Sequence, residues 1–210
     1  MSKPSKVEYA KMKERFWLIA LLLILIVSLP LLLWGFWPPR TETRTVAIQF
    51  PADGPSLPGE RSLTLKMPEF IRAGDSAVAE LSLLAEGETA EAVSVFDEYI
   101  VIAEARLDLP FAEARPADLV STTLSPGGTA TFYWEIRPRE AGTLRGEVWV
   151  YVRFVPKGGG EETRMPVSVQ QVEVRSGSMW KRTGSEARIA GVVGMLIGLA
   201  LGFWGWRRRT

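Results

Sequence analysis

The 210-residue chain contains no cysteine, no histidine and no asparagine. Without cysteine it has no disulfide framework on either side of a membrane. Without histidine there is no ordinary Ser–His or Cys–His pair and no imidazole to hold zinc, haem or copper, which leaves methionine as the one soft ligand. Without asparagine there is no N-glycosylation acceptor. A phosphate-cradling glycine loop of the required pattern is missing too. Carboxylates are plentiful, but their spacing does not separate an acid–base pair from surface charge. The chain therefore reads as non-enzymatic and free of cofactors. Scarce Asn, Gln and Cys, with Arg favoured over Lys outside the N-terminal tail, is a thermophilic prokaryote's pattern. GC-rich bacterial coding produces the same bias.

Long apolar runs are present at both ends. Phe16–Trp37, FWLIALLLILIVSLPLLLWGFW, carries no charge, and Ser28 is its polar side chain. At ~1.5 Å per residue it reaches roughly 33 Å, enough for a bilayer core of ~30 Å. Pro30 inside it predicts a kink. A cleaved signal peptide is the alternative. The run exceeds the usual ~7–15 residues and is followed by Pro38-Pro39-Arg40 instead of an A-x-A site, so an uncleaved anchor is the better reading. A second run, Ile189–Trp206, reaches ~27 Å, just long enough to span with little tilt. A buried core helix would not end on Trp204, Trp206, Arg207, Arg208 and Arg209. These are membrane-interface anchors, as are Trp17, Trp34 and Trp37 around the first run.

The formal net charge of +1 hides an uneven distribution. Between Arg40 and Trp180 about 14 basic and 21 acidic side chains leave a balance of about −7. Lys3, Lys6, Lys11, Lys13 and Arg15 precede the first run, and three arginines follow the second. An acidic middle argues against nucleic-acid binding. Basic ends place both termini in the cytoplasm and the middle outside, across a bacterial inner membrane.

That middle, residues 40–175, alternates apolar and polar with a period of two between Pro/Gly turns. Val46, Ile48 and Phe50 share a face. So do Leu63, Leu65 and Met67, and Val101, Ala103, Ala105 and Leu107. Phe132, Trp134 and Ile136 form another set, and Val148, Val150, Val152 and Phe154 the clearest. Ser76–Leu84 is a further strand, and Ala85–Glu98 is a loop or short helix. A last strand, Met165–Val174, breaks phase at Gln170-Gln171, which predicts a bulge there. About seven strands of this kind predict an all-β, antiparallel β-sandwich. The full organisation is then a basic tail 1–15, a transmembrane helix 16–37, the sandwich 40–175, a linker 176–188, a transmembrane helix 189–206 and a basic end 207–210.

Three groups stand out as sites. Gly194, Gly198 and Gly202 form GxxxGxxxG, which Gly191 and Gly205 extend along one helical face, a surface another helix can approach closely. Its partner is the first helix, a second copy, or another protein. Tyr133, Trp149 and Tyr151 fall on outward strand positions and form a candidate protein-interaction patch, unless a loop covers them. Glu86, Glu88, Glu91, Asp97 and Glu98 are an acidic cluster without the spacing of a calcium loop, so a solvated surface is the simpler reading.

Met67-Pro68 with Ile71-Arg72-Ala73-Gly74-Asp75, Ala103-Glu104-Ala105-Arg106-Leu107, and Phe132-Tyr133-Trp134-Glu135-Ile136-Arg137-Pro138 with Ala141-Gly142 resemble immunoglobulin-like β-sandwich modules of bacterial membrane-associated proteins. Trp134, Pro138 and Gly142 match the Trp-x-x-x-Pro-x-x-x-Gly pattern that precedes a hairpin in those modules. The resemblance covers about half the chain and implies a binding or structural role with no catalytic residue. The expectation is a two-pass accessory or assembly subunit of a larger membrane complex. It would dock on other membrane subunits through its helices, within the lipid bilayer, with homo-oligomers as an option. A membrane-anchored ligand-binding, signalling or adhesion module is the alternative.

Overall fold

The computed structural model describes residues 6–48, 50, 55, 57, 60–86, 95–179 and 182–207. They form two compact units, 39–177 and the two chain ends.

The end unit is a pair of helices, α1 (Lys6–Phe36) and α2 (Gly184–Arg207). α1 runs through Pro30 without interruption and begins ten residues before the apolar run. α2 starts with a capping box. The Glu186 amide donates to Thr183 Oγ1 at 3.3 Å, and the Thr183 amide donates to Glu186 Oε2 at 2.9 Å. That satisfies two orphan N–H groups and places the helix start five residues before Ile189. Both helices are long and apolar enough to cross a membrane.

The other unit is mostly β: ten strands in two sheets of five. The first sheet contains β1 (Thr41–Ile48), β2 (Glu60–Pro68), β4 (Ala77–Glu86), β8 (Ala130–Pro138) and β6 (Ala112–Arg115), in that order. The second contains β3 (Phe70–Arg72), β10 (Thr163–Gly177), β9 (Gly142–Pro156), β5 (Tyr99–Asp108) and β7 (Val120–Leu124). Every pair is antiparallel except β3 with β10. The alternating apolar sets close on one another. Leu63, Leu81, Phe132, Trp134, Val101, Val150, Val152 and Phe154 are fully buried between the sheets.

Local chemistry sets the corners. Gly74 turns the chain with φ 84°, a conformation that glycine adopts freely. Gly146 brings β9 against the end of β5, where a Cβ would strike the Asp108 carbonyl oxygen. Residues 95–98 are helical. The expected bulge sits elsewhere. The register of β10 against β9 shifts between Pro166 and Ser168, not at Gln170-Gln171. Pro166 has no N–H to give the ladder, so the extra residue, Val167, falls beside it. β3, β6 and β7 add to the seven strands the alternation predicts.

Candidate functional site

The glycine stripe of α2 lies against α1 of the same chain. A Cβ at Gly191 would come within 2.9 Å of the Leu32 amide nitrogen, and one at Gly194 would strike the Ser28 hydroxyl. Leu25 lies 3.4 Å from the Gly198 Cβ position, and Leu21 lies 3.2 Å from that of Gly202. Steps of three, four and four residues along α2 are met by steps of four, three and four backwards along α1. The helices are therefore antiparallel and in register from Gly191 to Gly202. At one end the Arg188 guanidinium donates to the Gly35 carbonyl at 3.3 Å, meeting one of the last open acceptors of α1. At the other, Trp17 and Trp204 meet edge to face at 6.5 Å. No described residue lies near the Cβ position of Gly205.

The remaining sides of the pair are aliphatic. Leu22, Leu23, Ile26 and Leu33 of α1, and Ile189, Leu196 and Leu199 of α2, are each about half exposed or more. Of the expected interface anchors, Trp17, Trp37, Trp204 and Arg207 are exposed and Trp34 is half-buried. Arg208 and Arg209 lie outside the described residues, as does the side chain of Trp206.

Tyr133, Trp149 and Tyr151 do not form one row. Tyr133 lies on β8 in the first sheet, and the other two on β9 in the second. The chain changes sheets between Pro138 and Gly142, so their common outward phase points them to opposite faces of the sandwich. Tyr133 stands alone, more than half exposed, opposite Glu80.

Trp149 and Tyr151 belong to a cluster that alternation does not reveal. Their rings stack at 6.3 Å with an 11° interplanar angle, and the Arg164 guanidinium lies 4.1 Å over the Tyr151 ring. Under them lies Glu104, an outward residue of β5 whose side chain is 5% exposed. Arg153 Nε is 3.0 Å from Glu104 Oε1, and Arg164 Nε is 2.8 Å from Oε2. Glu104 Oε2 and Arg153 Nε lack well-angled hydrogen bonds, so attraction of charge dominates these contacts. Arg153 also donates to Glu162 at 2.9 Å. That bond, followed by the charge of Glu104, holds the Arg153 guanidinium above its usual range. Stacked aromatic rings, a cation over one of them and a buried carboxylate make a rigid, amphipathic outer face.

Arg61 lies at the inward, open end of β2, 3% exposed. Its Nε and Nη1 have no hydrogen-bond partner among the described residues. Burial alone pushes its pKa down. Phe111 is 74% exposed, with φ 66°, a left-handed conformation that is costly for a bulky residue. A hollow of about 680 Å³ flanks β1, lined by Arg44, Asp108, Arg145, Glu147 and Glu173. Arg145 pairs with Glu173 there at 3.1 Å. Of the acidic cluster, Asp97 and Glu98 are exposed on the 95–98 turn, and the side chains of Glu86, Glu88 and Glu91 lie outside those described. No metal-binding group of three ligands occurs among the described residues.

No protein-family model matches the chain, and no curated protein matches it in sequence. Among solved structures it is similar to a chain of the complex of zinc 2-glycoprotein with prolactin inducible protein from human seminal plasma. The identity is 13%, over 66% of this chain and 97% of that one, with a TM-score of 0.36. A CARDB domain from Pyrococcus furiosus is 10% identical over 67% and 90%, with a TM-score of 0.31. AggA, the major subunit of aggregative adherence fimbriae of Escherichia coli, is 8% identical over 66% and 96%, with a TM-score of 0.30. These are likenesses in outline, and no chemistry of this chain follows from them.

Proposed function

We propose that the chain is a non-enzymatic, two-pass inner-membrane protein. In this reading the sandwich faces the outside and makes protein–protein contacts as an accessory or stabilising subunit of a membrane complex. The observation that carries it is the helix pair. Two apolar helices satisfy one another along a glycine seam and leave aliphatic surface on every other side. Such surface is at home in lipid and costly in water, at roughly 25 cal/mol per Å². Because α1 fills the seam, partner subunits have the lipid-facing sides and the sandwich left to dock on. The Trp149–Tyr151–Arg164 face has the residue types that anchor protein interfaces.

We also read the sandwich as immunoglobulin-like. The neighbours β2-β4-β8-β6 and β10-β9-β5 have the four-plus-three arrangement and the chain order of that fold, with β1, β3 and β7 added at the edges. A side-chain inventory with neither imidazole nor thiol supports the non-enzymatic reading. The ligand-binding or adhesion alternative keeps the same architecture and changes what the outer faces meet. Membranes expressing the native chain, washed with alkaline carbonate and then extracted in mild detergent, test the proposal. The chain should stay with the washed membranes and co-purify with a defined set of membrane proteins. Release by carbonate, or a pure monomer, would count against it.

A further inference from the structure

β1 is a free edge of the sandwich. It ends its sheet and pairs with β2 alone. All its residues but Ile48 are exposed. No backbone hydrogen bond joins its other edge to a described residue. It has no proline, glycine or bulge; Glu42 and Arg44, on the face of buried Met67 and Leu65, are its charged residues, and β-branched residues that favour pairing are frequent in it. The other edge strands, β3, β6 and β7, have three, four and five residues, and the stretch of β10 that β3 leaves unpaired, 163–174, carries Pro166 and the bulge beside it, which blunt it. A free edge of this kind accepts another strand.

Charge decides which strand fits. Thr41, Thr43 and Thr45 stand on one face of β1, with Glu42 and Arg44 on the other, where they pair at 2.7 Å. Suppose a second copy of β1 adds antiparallel about a twofold axis. Residues facing the same way then meet across the junction. Centred on Thr43, the register sets Glu42 against Arg44 of the second copy and Arg44 against its Glu42, and Thr41 meets Thr45. Each carboxylate then lies between two guanidiniums. Centring on Arg44 brings the arginines together, and centring on Glu42 brings the carboxylates together. Centring on Thr45 sets Arg44 against Val46. One register makes the strand complementary to itself. The other face agrees. Thr45, Thr64, Ser82 and Thr131 already lie in register across four strands, with hydroxyl contacts of 3.2 Å (Thr45–Thr64) and 3.4 Å (Ser82–Thr131). Thr41 of the second copy continues that row.

We propose that β1 is a homodimerisation edge, joining two copies of the chain into one continuous sheet centred on Thr43. This goes beyond the partner reading above and does not depend on it, since membrane anchoring would survive its failure.

The natural absence of cysteine makes the test clean. Thr43→Cys in the full-length protein, oxidised with copper phenanthroline in mild detergent, should give a disulfide-linked dimer. Opposed Cα atoms in an antiparallel pair lie about 4.5–5.5 Å apart, within disulfide reach. Ala47→Cys, on the same face but far from its own counterpart in this register, should crosslink poorly. Glu42→Arg and Arg44→Glu, each alone, set like charges together twice by symmetry. Each should weaken dimerisation about tenfold in analytical ultracentrifugation. The double variant Glu42→Arg/Arg44→Glu should restore it, and it decides the matter if the cysteine variant folds poorly. A native chain monomeric at every concentration, equal crosslinking at the two positions, or no rescue by the double variant would overturn the proposal. So would an edge occupied by a different protein.

Discussion

Gly194 of α2 faces Ser28 of α1 so closely that a Cβ on the glycine would collide with the serine hydroxyl. Ser28, the polar side chain of its apolar run, is 4% exposed there. The polar side chain of that apolar run is thus packed into the seam between the helices.

Enlarging Gly194 should open that point. Gly194→Leu is expected to cost about 1–3 kcal/mol, the usual range for overpacking. Thermal unfolding of the detergent-solubilised chain measures it. Gly205→Ala, where no described residue lies near the Cβ position, should be close to neutral.

Glu104 holds Arg153 and Arg164 together beneath the aromatic rings. Glu104→Gln leaves two guanidiniums facing each other and should lower stability by about 1–3 kcal/mol, because both arginines can turn partly to water. A double-mutant cycle with Arg164→Gln should show coupling, while a surface substitution at Tyr133 should show none with either.

Arg61 makes the opposite prediction. Its guanidinium keeps its charge at any ordinary pH, and burying it with no partner for Nε and Nη1 among the described residues is unfavourable. Arg61→Met should therefore raise the melting temperature, by an amount corresponding to about 1–4 kcal/mol. A fall would mean that a partner for Arg61 exists beyond the described residues.

Acid should weaken the sandwich from the edges. The bond and charge of Arg115 hold the Glu113 carboxyl below its ordinary value of 4.5, and Arg44 does the same for Glu42. Their contribution is present above that ordinary value and is lost as pH falls through the lower, folded-state value. The melting temperature should be flat near neutrality and fall in the acid limb, more shallowly for Glu113→Gln. Both carboxylates are exposed, so added salt should flatten the limb further.

Several features were legible in the sequence for clear physical reasons. Long uncharged runs and period-two alternation report burial directly, so both helices and the strands around Val101, Phe132 and Val150 stand out. β6 and β7 did not. They are short, largely half-exposed edge strands, and their alternation runs for four or five residues only, with Ala112 and Ala114 in β6 and Val120 and Leu124 in β7 as weak apolar marks. The bulge was seen as a phase change, but a phase change bounds a bulge without locating it, and Pro166 settles the place. Outward phase put Tyr133 with Trp149 and Tyr151, yet phase says nothing about which sheet a strand joins. Glu104 looked like any outward carboxylate. Its burial depends on Arg153 and Arg164, which alternation along β5 cannot report. Glycine spacing marked a packing face, and its occupant became visible through the matched steps of α1.

The proposed crossing of a membrane, and its orientation, can be measured in the cysteine-free background. Single variants Ser2→Cys, in the basic tail, and Ser125→Cys, in an exposed turn of the sandwich, are treated in intact cells or spheroplasts with a membrane-impermeant maleimide. Two helices crossing an inner membrane, with the sandwich outside, predict labelling at position 125 and protection at position 2 until the cells are lysed. Protection of both positions before lysis, labelling of both, or the reverse pattern would contradict it.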